Sequence, residues 1–197
     1  MTKTLYLMRH GQTLFNKRHR IQGWCDAPLT DLGVYQAQVA GQYFKNAGIT
    51  FDAAYSSTSE RACDTLEIVT NGSLPYQRVK GLKEWNFGTF EGESEDLNPP
   101  LPYEDFFVTY GGESQDQVRD RMAATILQLM QETKGKSVLM VSHGGAMANF
   151  ARAWEDNWRL DNLGHMTNCG ILKFSFEDDQ FYLEEAIGHD FSGWEEK

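Results

Sequence analysis

Two histidine–glycine pairs stand directly after apolar runs, and these are the residues of the chain best placed to do chemistry. The pairs and the runs before them are His10-Gly11 after residues 4–8 and His143-Gly144 after residues 137–141. Both runs have the length and the apolar character of buried strands. Ligands of open α/β sheets bind just beyond the carboxyl ends of the strands, so we expect both histidines to lie in one crevice.

Two arginines accompany the histidines and indicate which ligand the crevice takes. Arg9 precedes His10, and Arg61 falls in the first turn of a predicted helix, where backbone N–H groups also favour an anion. Guanidinium groups match the geometry of phosphate oxygens, so the pattern predicts a phosphoryl ligand. A neutral His10 could attack phosphorus and form a phosphohistidine, while Arg9, Arg61 and His143 neutralise the oxygens. A single His-Gly pair at a strand end is commonly just a turn, but two pairs with arginines favour catalysis.

Glycines follow both histidines, and we expect them to serve the same ligand. Gly11, Gly144 and Gly145 lack a Cβ atom at the points where a phosphate would approach the backbone. The remaining histidines lack this context, and we expect them to be surface or hydrogen-bonded residues. They are His19, His165 and His189.

The composition is that of an ordinary globular protein and excludes several classes of function. The 197 residues suit one domain, which we place over 1–197, and the formal net charge of −10 opposes nucleic-acid binding. The only dense basic strip, residues 17–20, is too short to predict a nucleic-acid site. Three cysteines lack zinc or disulfide spacing, and the first apolar run is too short for a signal peptide or a membrane span. We expect a cytoplasmic enzyme with reduced cysteines and no membrane partner.

Strand and helix patterns alternate along the chain, which predicts an α/β fold. Helices are indicated after Thr30, after a capping box of Ser57 and Glu60, after a second box of Ser114 and Gln117, and from Gly145 through Trp154. Strands are indicated at 4–8, 51–55 and 137–141, with an antiparallel hairpin across 177–180 near the end. We predict a three-layer sandwich: a mainly parallel sheet with an antiparallel C-terminal edge and helices on both faces.

An insertion over about 91–112 breaks this alternation and has the composition of a short lid. It is rich in glutamate and proline, and a mobile surface loop is the alternative interpretation. From Glu84 through Val118 there is no Lys, Arg or His. Aromatic side chains in the same region either pack on an apolar leaving group or anchor the lid to the domain. They are Phe87, Phe90, Tyr103, Phe106, Phe107 and Tyr110.

Three motifs together resemble the histidine phosphatase superfamily, the phosphoglycerate mutase-like proteins. The motifs are residues 7–13 with Asn16 and 22–30, residues 56–65, and residues 142–145. The resemblance spans nearly the whole chain and implies the family's fold and phosphohistidine chemistry. It implies that His10 is the nucleophile and that Arg9, Arg61 and His143, with Gly11 and Gly144, bind the phosphoryl group. It further implies that Asn16, Gln22 and Gly23 line the substrate side.

The same resemblance supplies a proton donor. Residues 82–88 are similar to the segment that provides the family's catalytic acid, which implies that Glu84 protonates the leaving oxygen and later activates water. Glu91 and Glu93 are competitors that we expect to face solvent. No metal or cofactor is expected, because arginine and histidine carry the positive charge and the sequence lacks a clustered ligand set.

The insertion favours a phosphatase over a mutase. Its acidic residues would repel a small polyanion, so we predict a phosphomonoester hydrolase that acts on a small phosphorylated metabolite. Mutase-type phosphoryl transfer is the alternative, kept open by the basic strip 17–20, and a non-catalytic phospho-ligand-binding domain is a third possibility. The oligomeric state stays open, with a homo-oligomer allowed. In the C-terminal tail we expect Phe191 and Trp194 to dock on the domain.

Overall fold

One mixed sheet lies at the centre of the molecule. A computed structural model of the protein describes residues 2–164 and 166–195. In this part of the chain the strands are β1 (Lys3–Arg9), β2 (Ala53–Ser57), β3 (Gln77–Val79), β4 (Ser137–Ser142), β5 (Ile171–Glu177) and β6 (Gln180–Ile187). Their order in the sheet is β3-β2-β4-β1-β5-β6. The first four pair in parallel, whereas β5 and β6 are antiparallel. The predicted sheet, mainly parallel with an antiparallel C-terminal edge, is confirmed.

Helices cover both faces of the sheet. They are α1 (Leu14–Lys17), α2 (Asp31–Asn46), α3 (Glu60–Val69), α4 (Gln115–Glu132) and α5 (Gly144–Arg152). Alternate residues of β1 enter two separate cores, since Leu5 and Leu7 pack with α4 and α5, while Tyr6 and Met8 pack with α2 and α3. The three predicted layers are therefore present.

The helix starts agree with the sequence patterns at two of three caps. Thr30 caps α2, and Ser114 with Gln117 forms the expected capping box of α4. The capping box predicted for Ser57 and Glu60 is wrong, because the N-cap residue of α3 is Ser59, whose side chain makes no capping hydrogen bond. Ser57 is instead the last residue of β2. Helix α5 ends at Arg152, two residues earlier than expected.

The insertion has its own local structure. Two short 3-10 helices, Glu95–Leu97 and Phe106–Tyr110, lie within residues 91–112. Phe107 is fully buried in the core on the α4 and α5 side of the sheet. The segment is therefore anchored to that core.

The C-terminal residues dock as expected. Phe191 packs against the core below α2, and the Trp194 ring lies 5.4 Å from that of Tyr35. The cysteines are free, with Cys63 and Cys169 buried in the interior. Among the described helices, none has both the length and the apolar character that crossing a membrane requires.

Candidate active site

The carboxyl ends of β1 and β4 bring the two predicted histidines together. Arg9 and Ser142 are register partners in the parallel pair, and the His10 amide donates to the Ser142 carbonyl at 3.1 Å. The His10 and His143 rings consequently lie 5.2 Å apart between centroids, edge to face. The expected crevice exists because neighbouring parallel strands end at the same edge of the sheet.

The hydrogen bonds of His10 set its tautomer. Its Nδ1 lies 2.7 Å from the Gly11 carbonyl oxygen, which can only accept, so the ring proton sits on Nδ1. The lone pair of Nε2 is thereby left for reaction. Burial, reinforced by the charges of Arg61 and Arg9, holds the pKa of His10 well below its usual range. His10 is therefore neutral, which is the form that a nucleophile needs.

His143 is fully buried beside it and is held by a serine. Its Nε2 lies 2.8 Å from Ser57 Oγ, whereas its Nδ1 has no partner among the described residues. Burial is the main reason that the pKa of His143 is far below its usual range, with Arg61 adding to the effect. The spacing of Ser57 to Glu60 predicts a helix cap, whereas the structure places the Ser57 hydroxyl beside this imidazole.

Two arginines lie near the histidines and differ in their hydrogen-bond partners. Arg9 donates from Nη1 to the Met166 carbonyl at 2.6 Å, and burial lowers the pKa of its guanidinium. Arg61 is fully buried and donates to Asp26 Oδ1 and to the carbonyls of Gly23 and Cys25, each at 2.8 Å. In both arginines Nε lacks a partner within the described chain.

Glu84 is held at the start of α5. Its Oε2 accepts from the Gly145 amide at 2.9 Å, and its Oε1 accepts from the Ala146 amide at 2.6 Å. The side chain is only 7% exposed. The first amides of a helix lack intrahelical partners and favour an anion, which explains why the carboxylate lies here.

The glycines that follow the two histidines are closely packed. A Cβ on Gly11 would lie 2.5 Å from the Gly33 carbonyl oxygen, and one on Gly145 would lie 2.9 Å from Glu84 Oε1. On Gly144 the nearest atom would be Arg9 Nε at 3.3 Å. The Gly11 amide is also engaged, since it donates to Thr65 Oγ1 at 3.0 Å. These contacts with α2, Glu84 and Arg9 are a further reason for glycine at the three positions, and their role in the approach of a phosphate stays a prediction.

A cleft of about 570 Å³ opens above these residues. Six of the predicted site residues line it: Arg9, His10, Asn16, Gln22, Glu84 and Gly144. The other four lie outside its lining: Gly11, Gly23, Arg61 and His143. Of those four, Arg61 and His143 have no exposed surface, so they act on His10 from beneath the cleft.

Thr13 is a residue of the site that sequence reasoning missed. It is fully buried, and its hydroxyl donates to Gln22 Oε1 at 2.6 Å while accepting from the Asn16 amide at 3.1 Å. Asn16 Oδ1 in turn accepts from the Thr13 amide and from Asn168. Both cleft-lining amides are therefore oriented by their oxygens. The Thr-x-x-Asn spacing is a capping pattern that could have indicated this role.

Most acidic residues of the insertion lie outside the lining of the cleft. Glu95 is the only carboxylate of residues 91–112 in the lining, which also contains Glu84 and the guanidinium groups of Arg9, Arg20 and Arg152. The expectation that the acidic insertion as a whole repels an anionic substrate is therefore not supported by the side-chain positions. Arg20 belongs to the basic strip that kept the mutase alternative open.

The aromatic residues between Phe87 and Tyr110 form one packed group, and two of them also line the cleft. Phe87 and Tyr103 line the cleft, while Phe90, Phe106 and Tyr110 pack on one another or on the buried Phe107. Phe87 and Tyr103 also pack on Phe107, with ring centroids 4.8 and 5.4 Å away, so all of these rings anchor the segment and two of them in addition line the cleft.

The structure also places the two competing glutamates and two of the three remaining histidines. Glu93 is exposed as predicted, but the prediction for Glu91 is wrong, because its carboxylate accepts from backbone amides that include Gly23 N at 3.0 Å. His19 is exposed and lies 3.4 Å from Glu95. His189 is half-buried against the Tyr43 ring, and burial lowers its pKa. His165 lies outside the described residues.

Comparison with known proteins gives this site a family. The family model of the histidine phosphatase superfamily (branch 1) matches residues 5–187. A 2,3-bisphosphoglycerate-dependent phosphoglycerate mutase from Allorhizobium ampelinum is 31% identical over 219 aligned positions, covering 98% of this chain and 99% of the mutase. A metal-independent phosphoserine phosphatase from Arabidopsis thaliana is 28% identical, with 89% of this chain and 88% of the relative covered.

Solved structures show the same two kinds of relative. A phosphoglycerate mutase from Bacillus anthracis strain Sterne superposes with a TM-score of 0.80 at 29% identity, covering 93% of this chain and 92% of the mutase. A phosphoserine phosphatase from Entamoeba histolytica, solved with 3-phosphoglyceric acid, gives a TM-score of 0.76 at 29% identity, with 94% and 97% covered. The chain belongs to the histidine phosphatase superfamily, branch 1. It is an enzyme of the phosphatase and mutase-like kind.

Proposed function

We propose that this protein is a metal-independent phosphomonoester hydrolase that acts through a phosphohistidine on His10. The observation that carries the proposal is the pairing of His10, whose Nε2 is left for reaction, with the Glu84 carboxyl group in one cleft. A nucleophile and a proton donor are the two groups that transfer of a phosphoryl group to the enzyme needs. The small phosphorylated metabolites bound by the relatives fit within a cleft of this size.

The reaction has two steps. In the first, His10 Nε2 attacks phosphorus, the bond from phosphorus to the ester oxygen breaks, and Glu84, which enters this step as the carboxylic acid, gives its proton to the departing oxygen and becomes a carboxylate. In the second, Glu84 takes a proton from water, the water oxygen bonds to phosphorus, and the bond from phosphorus to His10 breaks. Inorganic phosphate then leaves, and both residues return to their starting forms.

Positive charge for the phosphoryl oxygens comes from the protein itself. Arg9 and Gln22 line the cleft, and the buried Arg9 Nε and Gln22 Nε2 lack partners among the described residues, while Arg61 adds its charge from beneath the cleft. Unsatisfied buried donors are costly, so an oxyanion seated against His10 would stabilise this arrangement. The Arabidopsis relative is named as metal-independent, which agrees with a site that neutralises charge in this way.

Mutase-type phosphoryl transfer is the second candidate, and one observation favours it. Arg20 and Arg152 line the cleft beyond His10, so a second anionic group on the substrate would meet positive charge there. A mutase retains its product for return of the phosphoryl group, whereas a phosphatase admits water. Because residues 84–118 contain no Lys, Arg or His, this segment adds no positive charge that would retain a phosphorylated product, which favours the phosphatase.

The test is release of inorganic phosphate from a panel of monophosphates in the presence of a chelator. We expect turnover by the native protein and a rate at least about 10³-fold lower in His10→Ala. His19→Ala alters an exposed histidine and should retain the native rate. Interconversion of 2- and 3-phosphoglycerate, followed in the same samples, checks the second candidate. Transfer that exceeds hydrolysis would overturn the phosphatase assignment.

A further inference from the structure

Glu91 is the carboxylate whose surroundings differ most from what its place in the sequence suggests. It begins the acidic insertion, yet all four of its described hydrogen bonds come from backbone amides. Oε1 accepts from Trp24 N at 2.7 Å and Phe87 N at 3.1 Å, and Oε2 accepts from Gly23 N and Cys25 N, both at 3.0 Å. One carboxylate therefore joins residues 23–25 to residues 84–91.

Two further contacts join the same segments. The Trp24 indole Nε1 donates to the Glu84 carbonyl at 3.0 Å. Gly23 lies so close to the other segment that an added Cβ would be 2.0 Å from the Trp85 carbonyl oxygen. We call this set of contacts between residues 23–25 and 84–91 the clasp.

Each side of the clasp holds a residue of the proposed reaction. On one side, the carbonyls of Gly23 and Cys25 accept from Arg61, whose charge helps to keep His10 neutral. On the other side lies Glu84, the proposed proton donor, which also reaches the first amides of α5. The clasp therefore fixes the distance between the phosphoryl-binding side of the cleft and the acid.

We infer that Glu91 is a positioning residue that sets Glu84 against the leaving oxygen. The inference rests on the proposed function. Proton transfer requires the donor within hydrogen-bond reach of the departing atom, so a small displacement of the 84–91 segment lowers the rate. Glu91 lies outside the lining of the cleft and acts through the clasp alone.

The test compares two phosphomonoesters with different needs for an acid. A p-nitrophenyl phosphate releases a weakly basic oxygen that departs without a proton, whereas an alkyl phosphate such as phosphoserine releases a strongly basic one. The quantity to measure is kcat/KM, because it reports the first transfer to His10 and not the later attack of water. Glu84→Gln is the reference, with a loss of about 10²–10⁴-fold expected on the alkyl ester and a much smaller loss on the aryl ester.

In Glu91→Gln the new NH₂ group faces backbone donors, so only one oxygen is left to accept. We expect kcat/KM to fall about 30-fold for the alkyl ester and less than about fivefold for the aryl ester, the same selectivity as Glu84→Gln. Glu93→Gln is the matched control, since Glu93 lies two positions along and is exposed, and both ratios should stay at the native value.

Equal losses on both esters, or no loss, would overturn the inference. If Glu91→Gln does not fold, as judged by circular dichroism, Trp24→Phe removes the indole donor to the Glu84 carbonyl while keeping an aromatic ring beside Lys80 and Lys83, and it should show the same selective loss at smaller size. A native protein without turnover on either ester would instead count against the proposed function, so the two failures are distinguishable.

Discussion

At the scale of single residues, burial controls the protonation of His10 and His143. Both side chains have a folded-state pKa well below the usual range, mainly because of desolvation. The unfolded chain takes up these protons near pH 6.5, while the folded chain does not until the pH is lower. Stability from the neutral histidines is therefore fully present above about pH 6.5 and is lost as the pH falls toward the folded pKa values.

Replacement of one histidine should therefore reduce the sensitivity of the fold to acid. We expect the free energy of unfolding to fall with pH between 6.5 and 5.5 more steeply in the native protein than in His143→Gln, by up to about 1.4 kcal/mol per pH unit. Glutamine keeps a polar group near Ser57 but does not titrate. Urea titrations at a series of pH values measure both slopes, and identical slopes would show that His143 does not contribute.

At the scale of elements, the first turn of α1 couples helix capping to substrate binding. Thr13→Val keeps the branched shape but removes the hydroxyl that caps Asn16 and holds Gln22. We expect the free energy of unfolding to fall by about 1–2 kcal/mol and KM to rise several-fold, because Asn16 and Gln22 line the cleft. Urea unfolding and steady-state kinetics give the two quantities.

Thr30→Val is the matched control for that variant. Thr30 caps α2 through the Gly33 amide and lies outside the cleft lining. The stability cost should be of the same order, about 1 kcal/mol, with KM unchanged. A rise in KM of similar size in both variants would mean that loss of stability, not the orientation of Gln22, affects binding.

Part of the fold and of the site could be predicted from the sequence. The two strand ends that carry His10 and His143 could be predicted because local periodicity identifies buried strands and a parallel sheet gathers their ends. The clasp at Glu91 could not, because three of its four amides come from residues 23–25, far away in sequence, and no spacing rule describes such a contact. The prediction for Ser57 was wrong for a related reason. Its spacing to Glu60 fits a helix cap, but its hydroxyl lies beside His143 in the fold.

At the scale of the whole molecule, the cleft differs in charge from the chain that forms it. The chain carries a formal net charge of −10, whereas three arginines and two glutamates line the cleft. A phosphomonoester approaching the protein is thus repelled by the overall charge and attracted by the local one. Which of the two governs binding depends on how strongly solvent screens the more distant carboxylates.

Substitution of Glu95 and of Asp96 separates the effect of the local charge from that of the net charge. Glu95 is the carboxylate of the insertion that lines the cleft, whereas its neighbour Asp96 is exposed and lies outside the lining. Both Glu95→Gln and Asp96→Asn change the net charge by one unit. If the local field governs binding, Glu95→Gln should lower KM about threefold for 3-phosphoglycerate, which has a second anionic group, and less for glycerol phosphate. Asp96→Asn should leave both KM values unchanged. Equal effects of the two substitutions would show instead that the charge of the whole molecule sets the affinity, and then KM should depend on ionic strength to the same extent in both variants.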